Sequence, residues 1–177
     1  ASTQVHLNSG EGTAFLFSSK SFPAQSRKPQ ICEYTRQISI DEFDVCMLKQ
    51  FILTPENLTV QVPNTVWHKI SVSKQQIPVK KSFSGVILYE SQFELNDRTD
   101  AKDIFVDLGE LCYSCEVFLN GQRLGARFAP PYVLYAKADI LQIKNKLQIR
   151  VANTLANQFV FSDALDKEDF RSIGTYH

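Results

Sequence analysis

Net charge and long apolar runs are both missing from this sequence. Its 19 Lys and Arg residues balance its 19 Asp and Glu residues. No basic run exceeds two residues, as at Lys80-Lys81. A chain without a basic patch gives no support for binding to nucleic acid or to an anionic membrane surface. No apolar run approaches the roughly 20 residues of a membrane span. We therefore expect neither nucleic acid nor a membrane as a partner.

Glycine and histidine are scarce, with 7 and 3 residues respectively. The glycines form neither a Walker loop nor a dinucleotide-binding pattern, and no Gly-x-Ser-x-Gly elbow occurs. His6, His68 and His177 are not spaced like metal ligands. The sequence thus offers no phosphate loop, no nucleophilic triad and no zinc site.

An initiating methionine is also absent, because the chain begins at Ala1. Its first residues lack a charged region followed by an apolar stretch, so no signal peptide is visible. We expect an excised or trimmed piece of a longer polypeptide. Its location stays open between export, to a periplasm or the cell exterior, and a bacterial cytoplasm.

Cysteine is limited to four residues. Cys112 and Cys115 form a C-x-x-C, but in an extended strand residues three apart are separated by about 10 Å, beyond the reach of a disulfide. We favour small buried hydrophobic residues over a redox or zinc motif. Cys32 and Cys46 could pair in an exported chain, and the sequence leaves their state open.

The chain does contain repeated alternation of apolar and polar residues across residues 82–153. Ile87 and Tyr89 share one face of such a run, whereas Glu90 lies on the other. A period of two indicates strands with one face in a core and one in water. The alternating runs are residues 85–95, 103–108, 115–119 and 146–152. Successive runs without intervening helical patterns predict an all-β fold, an antiparallel β-sandwich.

Turn residues separate these runs. Asn120-Gly121 predicts a tight hairpin, and Gly125 a second bend. Pro130-Pro131 predicts a strand-free passage into Tyr132, and Asn145 a turn before the last strand.

The flanking segments complete a single domain, residues 1–177. We expect residues 1–81 to supply a lead-in and outer or edge strands, residues 82–153 the core strands, and residues 154–177 an exit segment. Strand candidates in the first part are residues 13–18, 45–53, 58–62 and 67–72. Residues 39–42 have capping-box form, which also allows a helical turn, but we favour a strand over residues 45–53.

Several motifs, in this order and spacing, resemble the sugar-binding domain of family 2 glycoside hydrolases and related modules of large rhamnosidases. They are residues 83–95, Phe105-Val106-Asp107-Leu108-Gly109, residues 115–121, Leu124-Gly125, Pro130-Pro131-Tyr132 and residues 147–153. The resemblance covers about the C-terminal half. It implies a galactose-binding-like jelly roll attached to a glycoside hydrolase. Residues 169–174 resemble the segment that connects such a domain to the next domain of the polypeptide.

The resemblance implies a non-catalytic accessory module whose parent polypeptide is a glycoside hydrolase. Its partners would be carbohydrate, bound weakly, or a neighbouring catalytic domain, or both. The alternative is a structural or protein-binding adhesion sandwich without a sugar ligand. No cofactor is expected.

Carboxylates are numerous enough for a pair at catalytic spacing to arise by chance. Glu90 and Glu94 share one strand face, as do Asp103 and Asp107, but alternation places them in solvent. We therefore predict no catalytic dyad. Aspartates at positions 97, 100 and 103 could hold a structural calcium ion, although solvated turn residues are favoured.

Sugar recognition needs flat aromatic rings and planar polar groups on loops held by a rigid scaffold. The carbohydrate-binding candidates are Trp67, Arg123, Phe128, Tyr132 and Asn157. Each also has an ordinary structural interpretation. Trp67 is favoured as a core residue, Phe128 and Tyr132 could pack beneath the Pro-Pro loop, and Asn157 could satisfy backbone groups.

Overall fold

The structure, a computed structural model, describes residues 36–54, 56–74, 79–97, 100–111 and 113–161 of the 177-residue chain. Strands account for most of the regular structure in these ranges. They are β1 (Glu42–Leu53), β2 (Leu58–Gln61), β3 (His68–Ser71), β4 (Gly85–Glu94), β5 (Asp103–Asp107), β6 (Ser114–Leu119), β7 (Gln122–Arg127), β8 (Val133–Lys137) and β9 (Lys144–Ala152). Two single 3₁₀ turns, Val72–Lys74 and Ala138–Ile140, and a short helix α1 (Ala156–Phe161) accompany them.

The strands form two antiparallel sheets. The larger sheet has seven strands in the order β2-β1-β4-β9-β6-β7, with β3 also paired to β1. β2 pairs with one end of β1, opposite Phe51, and β3 with the other end, opposite Phe43. β5 and β8 form the second, two-stranded sheet. The predicted all-β antiparallel sandwich is therefore confirmed.

The core lies on the inner face of β4, β9 and β6, beneath the two-stranded sheet. Ile149 of β9 lies opposite Tyr89 on one side and opposite Val117 on the other. Val117 and Leu134 of β8 are at most 1% exposed. Each fully buried aliphatic side chain contributes about 1.5–3 kcal/mol to stability. The predicted alternation in β4, β6 and β9 is confirmed.

The predicted hairpin joins β6 and β7. Asn120 and Gly121 have φ angles of 53° and 82°, the left-handed values that a two-residue hairpin turn requires. Gly125, with φ 147°, pairs with Val117 where the register of the two strands shifts. The stretch from Phe128 to Tyr132 contains no strand, as expected.

The strand limits differ from the predictions in places. β9 begins at Lys144, so Asn145 lies inside the strand rather than in a turn before it. β1 begins at Glu42, so the capping-box pattern does not start a helix. β1 also lies inside the sheet, between β4 and the edge strands β2 and β3.

Several expectations fall on residues outside the described ranges. They are the strand candidate at residues 13–18, Cys32, Cys112 and the segment at residues 169–174.

Candidate functional site

Polar side chains lie on the outer face of the larger sheet. In β9, Leu147, Ile149 and Val151 are buried, so the residues between them point outward. The register places Arg150 of β9 opposite Glu116 of β6, and Gln148 opposite Phe118. Charged and aromatic side chains of β6 and β9 therefore meet on one surface.

The Glu116 carboxylate lies between two guanidinium groups. Arg123 Nε of β7 donates to Glu116 Oε1 at 2.6 Å, and Arg150 Nη1 lies 3.5 Å from Glu116 Oε2. The Arg150 guanidinium carbon is 4.7 Å from the centre of the Phe118 ring, within the distance of a cation–π contact. The aromatic ring and the carboxylate together fix the orientation of Arg150.

This cluster borders an open cavity of about 520 Å³ on the outer face, which we call the outer-face groove. It is lined by Leu48, Lys49, Val86, Ser114, Cys115, Glu116, Ala126, Arg127, Phe128, Arg150 and Ala152. Its volume falls in the range of ligand-binding sites, about 300–1,000 Å³. The Phe128 side chain is 87% exposed and follows β7 directly. The groove thus combines an exposed aromatic ring with several charged groups.

Arg127 is held against the loop that contains Pro130-Pro131. Its Nε donates to the Val133 carbonyl oxygen at 3.0 Å, and its Nη1 donates to the Ala126 carbonyl oxygen at 2.9 Å. The Pro130–Pro131 peptide bond is cis. These contacts position the start of the loop that carries Phe128.

The predicted site residues occupy different parts of the molecule. Phe128 lines the groove, and Arg123 adjoins it through Glu116. Trp67 precedes β3 and is 46% exposed, so its expected core position is wrong. Tyr132 is 6% exposed within the core cluster, and Asn157 of α1 donates to the Phe83 carbonyl oxygen at 3.0 Å. Phe128 therefore lies in the groove and Arg123 beside it, and the other three residues lie elsewhere.

Sequence reasoning missed Glu116, Arg127 and Arg150 as candidates. Alternation in residues 146–152 puts Arg150 on the polar face of its strand, but alternation within one strand does not show which residues of the neighbouring strands it faces. The pairing of β6 with β9 supplies that information.

Side-chain amides in the segment after β9 form hydrogen bonds with the backbone at the start of β4 and the end of β1. Asn153 Oδ1 accepts from the Gly85 N–H at 2.7 Å, and its Nδ2 donates to the Phe83 carbonyl oxygen at 2.8 Å. Gln158 accepts from the Leu53 N–H at 2.7 Å and donates to the Phe51 carbonyl oxygen. These amides, including Asn157, satisfy backbone groups.

Several carboxylates of the described residues form ion pairs. Glu90 lies 2.7 Å from Lys146 Nζ and accepts from Gln148 at 2.9 Å, and Asp103 contacts Lys137 at 2.5 Å. Within the described ranges, no three His, Cys, Asp or Glu side chains converge as a metal site.

Two cysteines are described. Cys46 and Cys115 are free thiols, 2% and 4% exposed. Burial raises the pKa of both thiols, and the Glu90 charge adds to the increase for Cys46.

Among all the residues that the structure describes, no helix is long and apolar enough to cross a membrane.

Comparisons with known proteins place glycoside hydrolases among the similar sequences and structures. The chain is 29% identical over 87 residues to a Formosa agariphila protein named "Putative beta-glucuronidase". This match covers 48% of the chain and 8% of that protein. The chain thus spans less than a tenth of the relative that it matches. No protein-family model matches the chain.

Two solved structures are similar over larger shares of the chain. A rhamnosidase from Novosphingobium sp. PP1Y gives a TM-score of 0.46 at 22% identity, over 76% of this chain and 13% of that one. A Bifidobacterium dentium beta-glucuronidase gives 0.40 at 18% identity, over 67% and 21%. Each alignment covers at most 21% of the solved chain.

Proposed function

We propose that this chain is a non-catalytic accessory module of a glycoside hydrolase and that its outer-face groove binds carbohydrate. The observation that carries the proposal is the highly exposed Phe128 ring in a groove that also holds Arg150 and Glu116. Aromatic rings supply flat surfaces for sugar rings, and guanidinium and carboxylate groups bond hydroxyls in pairs. We also propose a galactose-binding-like jelly-roll fold for the module.

The sequence similarity supports the association with a glycoside hydrolase, since the match spans about half of this chain and a small part of the relative. The site chemistry supports a binding role rather than catalysis. Both oxygens of the groove carboxylate, Glu116, face guanidinium groups at 2.6 and 3.5 Å. Both carboxylate oxygens are therefore engaged in ion pairs with neighbouring side chains of the same sheet.

The test is a titration of the ¹⁵N-labelled chain with a panel of glycans, followed by amide chemical shifts. Binding should shift the amides around Phe128 and Arg150 at millimolar ligand. Phe128→Ala should weaken binding about two- to tenfold, the range expected for loss of an aromatic contact. Tyr135→Ala is the matched control, because Tyr135 is an exposed aromatic residue of the other sheet, 65% exposed.

Absence of any shift with every glycan would overturn the binding proposal. Hydrolysis of an aryl glycoside by the purified chain would overturn the non-catalytic one.

A second function, packing against a neighbouring domain, is favoured by an apolar surface around β2. Five aliphatic and aromatic side chains there are 46–78% exposed: Leu58, Val60, Val62, Val66 and Trp67. β2 is also an edge strand, and an edge offers unpaired backbone groups to a partner. If a catalytic domain of the same polypeptide covers this surface, Trp67 should emit at shorter wavelength in the longer polypeptide. Identical emission from the two forms would contradict this packing.

A further inference from the structure

The outer-face groove has an excess of positive charge. On the outer face its lining carries the cationic residues Lys49 and Arg150 and the acidic residue Glu116, a net charge of +1. Arg127 also borders the groove, but it pairs with the buried Cys115 and its guanidinium donates to the Val133 and Ala126 carbonyl oxygens, so it is not counted. The whole chain, by contrast, has no net charge. The positive charge is therefore a local property of the groove.

Glu116 does little to repel an anion in the groove. Arg123, which does not line the groove, binds Glu116 Oε1 at 2.6 Å and compensates its charge from the side. Glu116 Oε2 lies at the longer distance of 3.5 Å from Arg150 Nη1. The carboxylate thus orients Arg150, while the neighbouring guanidinium offsets its negative charge.

The Arg150 guanidinium is both accessible to a ligand and oriented by its neighbours. Its side chain is 50% exposed, so its guanidinium remains accessible to solvent. The Phe118 ring, 4.7 Å from the guanidinium carbon, restricts the motion of its plane. A guanidinium held in one plane loses less conformational entropy on binding, and its parallel N–H groups match a carboxylate or a sulfate.

The remaining lining suits a sugar ring. Leu48, Val86, Ala126 and Ala152 provide an apolar surface, and Phe128 provides an exposed aromatic ring. A neutral saccharide would use these contacts but would leave Lys49 and Arg150 without a partner on the ligand. An acidic saccharide would use both.

We propose that the outer-face groove selects saccharides that carry an anionic group, a carboxylate or a sulfate, which the Arg150 guanidinium binds. The inference rests on the proposed function, because it names the class of carbohydrate that the same groove takes. Carboxylate and sulfate share this chemistry, and the choice of probes separates them.

The experiment compares tetragalacturonate with its methyl ester, which has the same sugar ring without the charge. A sulfated carrageenan tetrasaccharide tests the sulfate arm, and maltotetraose is a further neutral probe. Dissociation constants come from ¹⁵N amide shifts of the full chain at 50 and 200 mM salt. We expect at least one anionic probe to bind about tenfold more tightly than the neutral probes at low salt, since charge-assisted hydrogen bonds are the strong ones. This preference should shrink at high salt.

Two variants that each remove one positive charge from β9 test whether Arg150 causes the preference for anionic saccharides. Arg150→Gln should abolish the preference, so that acid and ester bind within about twofold of each other. Lys144→Gln is the matched control, because Lys144 lies on the same face of β9, about 20 Å away, and is exposed. The control should keep the full preference. Unfolding curves of both variants verify that they fold.

The outcomes separate the two proposals. Equal affinity for tetragalacturonate and its ester, with no preference for the sulfated probe, overturns the selection of anions and leaves carbohydrate binding standing. An equal loss in the Arg150 and Lys144 variants also overturns it, because the attraction would then be a general surface effect. Failure of every probe to shift any amide overturns the proposed function itself.

Discussion

The side-chain amide of Asn120 donates a hydrogen bond of 2.9 Å to the side-chain oxygen of Asn145. Asn120 also donates to the Ile140 carbonyl oxygen at 2.8 Å and accepts from the Lys146 N–H at 2.9 Å. Asn145 exchanges two hydrogen bonds with the backbone of Gln142. This pair therefore joins the β6–β7 turn to the loop before β9.

Asn145→Ala should lower the free energy of unfolding by about 2–3 kcal/mol. Asn145 is 2% exposed, so its removal leaves polar partners, the part-buried Gln142 N–H and Asn120 amide, without their bonds to it. Urea unfolding followed by circular dichroism measures the loss. Gln142→Ala is the control, since it removes only an exposed side chain and should cost less than about 0.5 kcal/mol. An unchanged midpoint for Asn145→Ala would contradict the role of the pair.

Gly85→Ala should destabilise the fold by more than about 2 kcal/mol. A Cβ atom at Gly85 would collide with the Lys49 carbonyl oxygen and would lie 2.9 Å from the Phe83 ring. Overpacking against backbone forces the strands β1 and β4 apart. Gly109→Ala is a useful comparison, because Gly109 has φ +64° but nothing within 4 Å of the added atom. Its cost should be about 1–2 kcal/mol from backbone strain alone. Equal losses in the two variants would show that the contact with Lys49 does not matter.

Cys46 and Cys115 should react slowly with thiol reagents in the native chain. Burial raises the pKa of both thiols, so less thiolate is present at pH 8 than in the unfolded chain, and the reagent is also excluded. Alkylation followed by peptide mass spectrometry, with and without 8 M urea, gives the rate for each cysteine separately. We expect urea to increase both rates by at least about a hundredfold, a change that unfolding free energies of ordinary size permit. Comparable rates in the two conditions would contradict the buried position.

The sequence was sufficient for the central strands because their signals are local. In β4, β6 and β9 the apolar residues recur with a period of two, and Asn120-Gly121 specifies its own backbone conformation. Each of these features depends on residues within a few positions of one another. Local preferences of this kind correctly predict the structure when the tertiary packing favours the same local conformation.

Trp67 and the edge strand β2 show where the same logic fails. Alternation in residues 58–62 predicted a strand, and β2 confirms it, but all four of its residues are exposed. An apolar alternating pattern shows that one face is suited to burial. It does not show what covers that face, so the expected core position of Trp67 did not follow.

The groove could not be predicted because it depends on contacts between distant segments. Glu116 and Arg150 are 34 residues apart, and Lys49 belongs to a strand in the first half of the chain. Phe128 was predicted as a candidate because its loop follows a recognisable hairpin, whereas Glu116 and Arg150 are ordinary outward residues of separate strands. Their proximity is a consequence of the strand order β1-β4-β9-β6-β7.

Protonation of Asp41 at low pH should destabilise the end of the sheet where β1 pairs with β3. Its carboxylate accepts from the Ser71 hydroxyl at 2.5 Å, from the Ser73 N–H at 2.7 Å and from the Ser73 hydroxyl at 3.1 Å. These bonds, that of Ser71 foremost, lower the pKa of Asp41 below the ordinary 3.8, with a smaller contribution from Lys74. Because the folded pKa is lowered, the stabilisation is complete above the unfolded pKa of about 3.9 and is lost as the pH falls through the folded value.

A carboxyl-detected NMR titration should give Asp41 a midpoint below 3.8, and Ser71→Ala should move it upward, since the largest contribution is removed. Ser73→Ala should have a smaller effect, because the Ser73 N–H bond remains. Asp41→Asn should reduce the loss of stability below about pH 4 that the native chain shows, because a neutral amide carries no charge to titrate. Two results would show that these hydrogen bonds do not form in solution. One is an Asp41 midpoint at or above 3.8, and the other is an Asp41→Asn variant that loses as much stability below about pH 4 as the native chain.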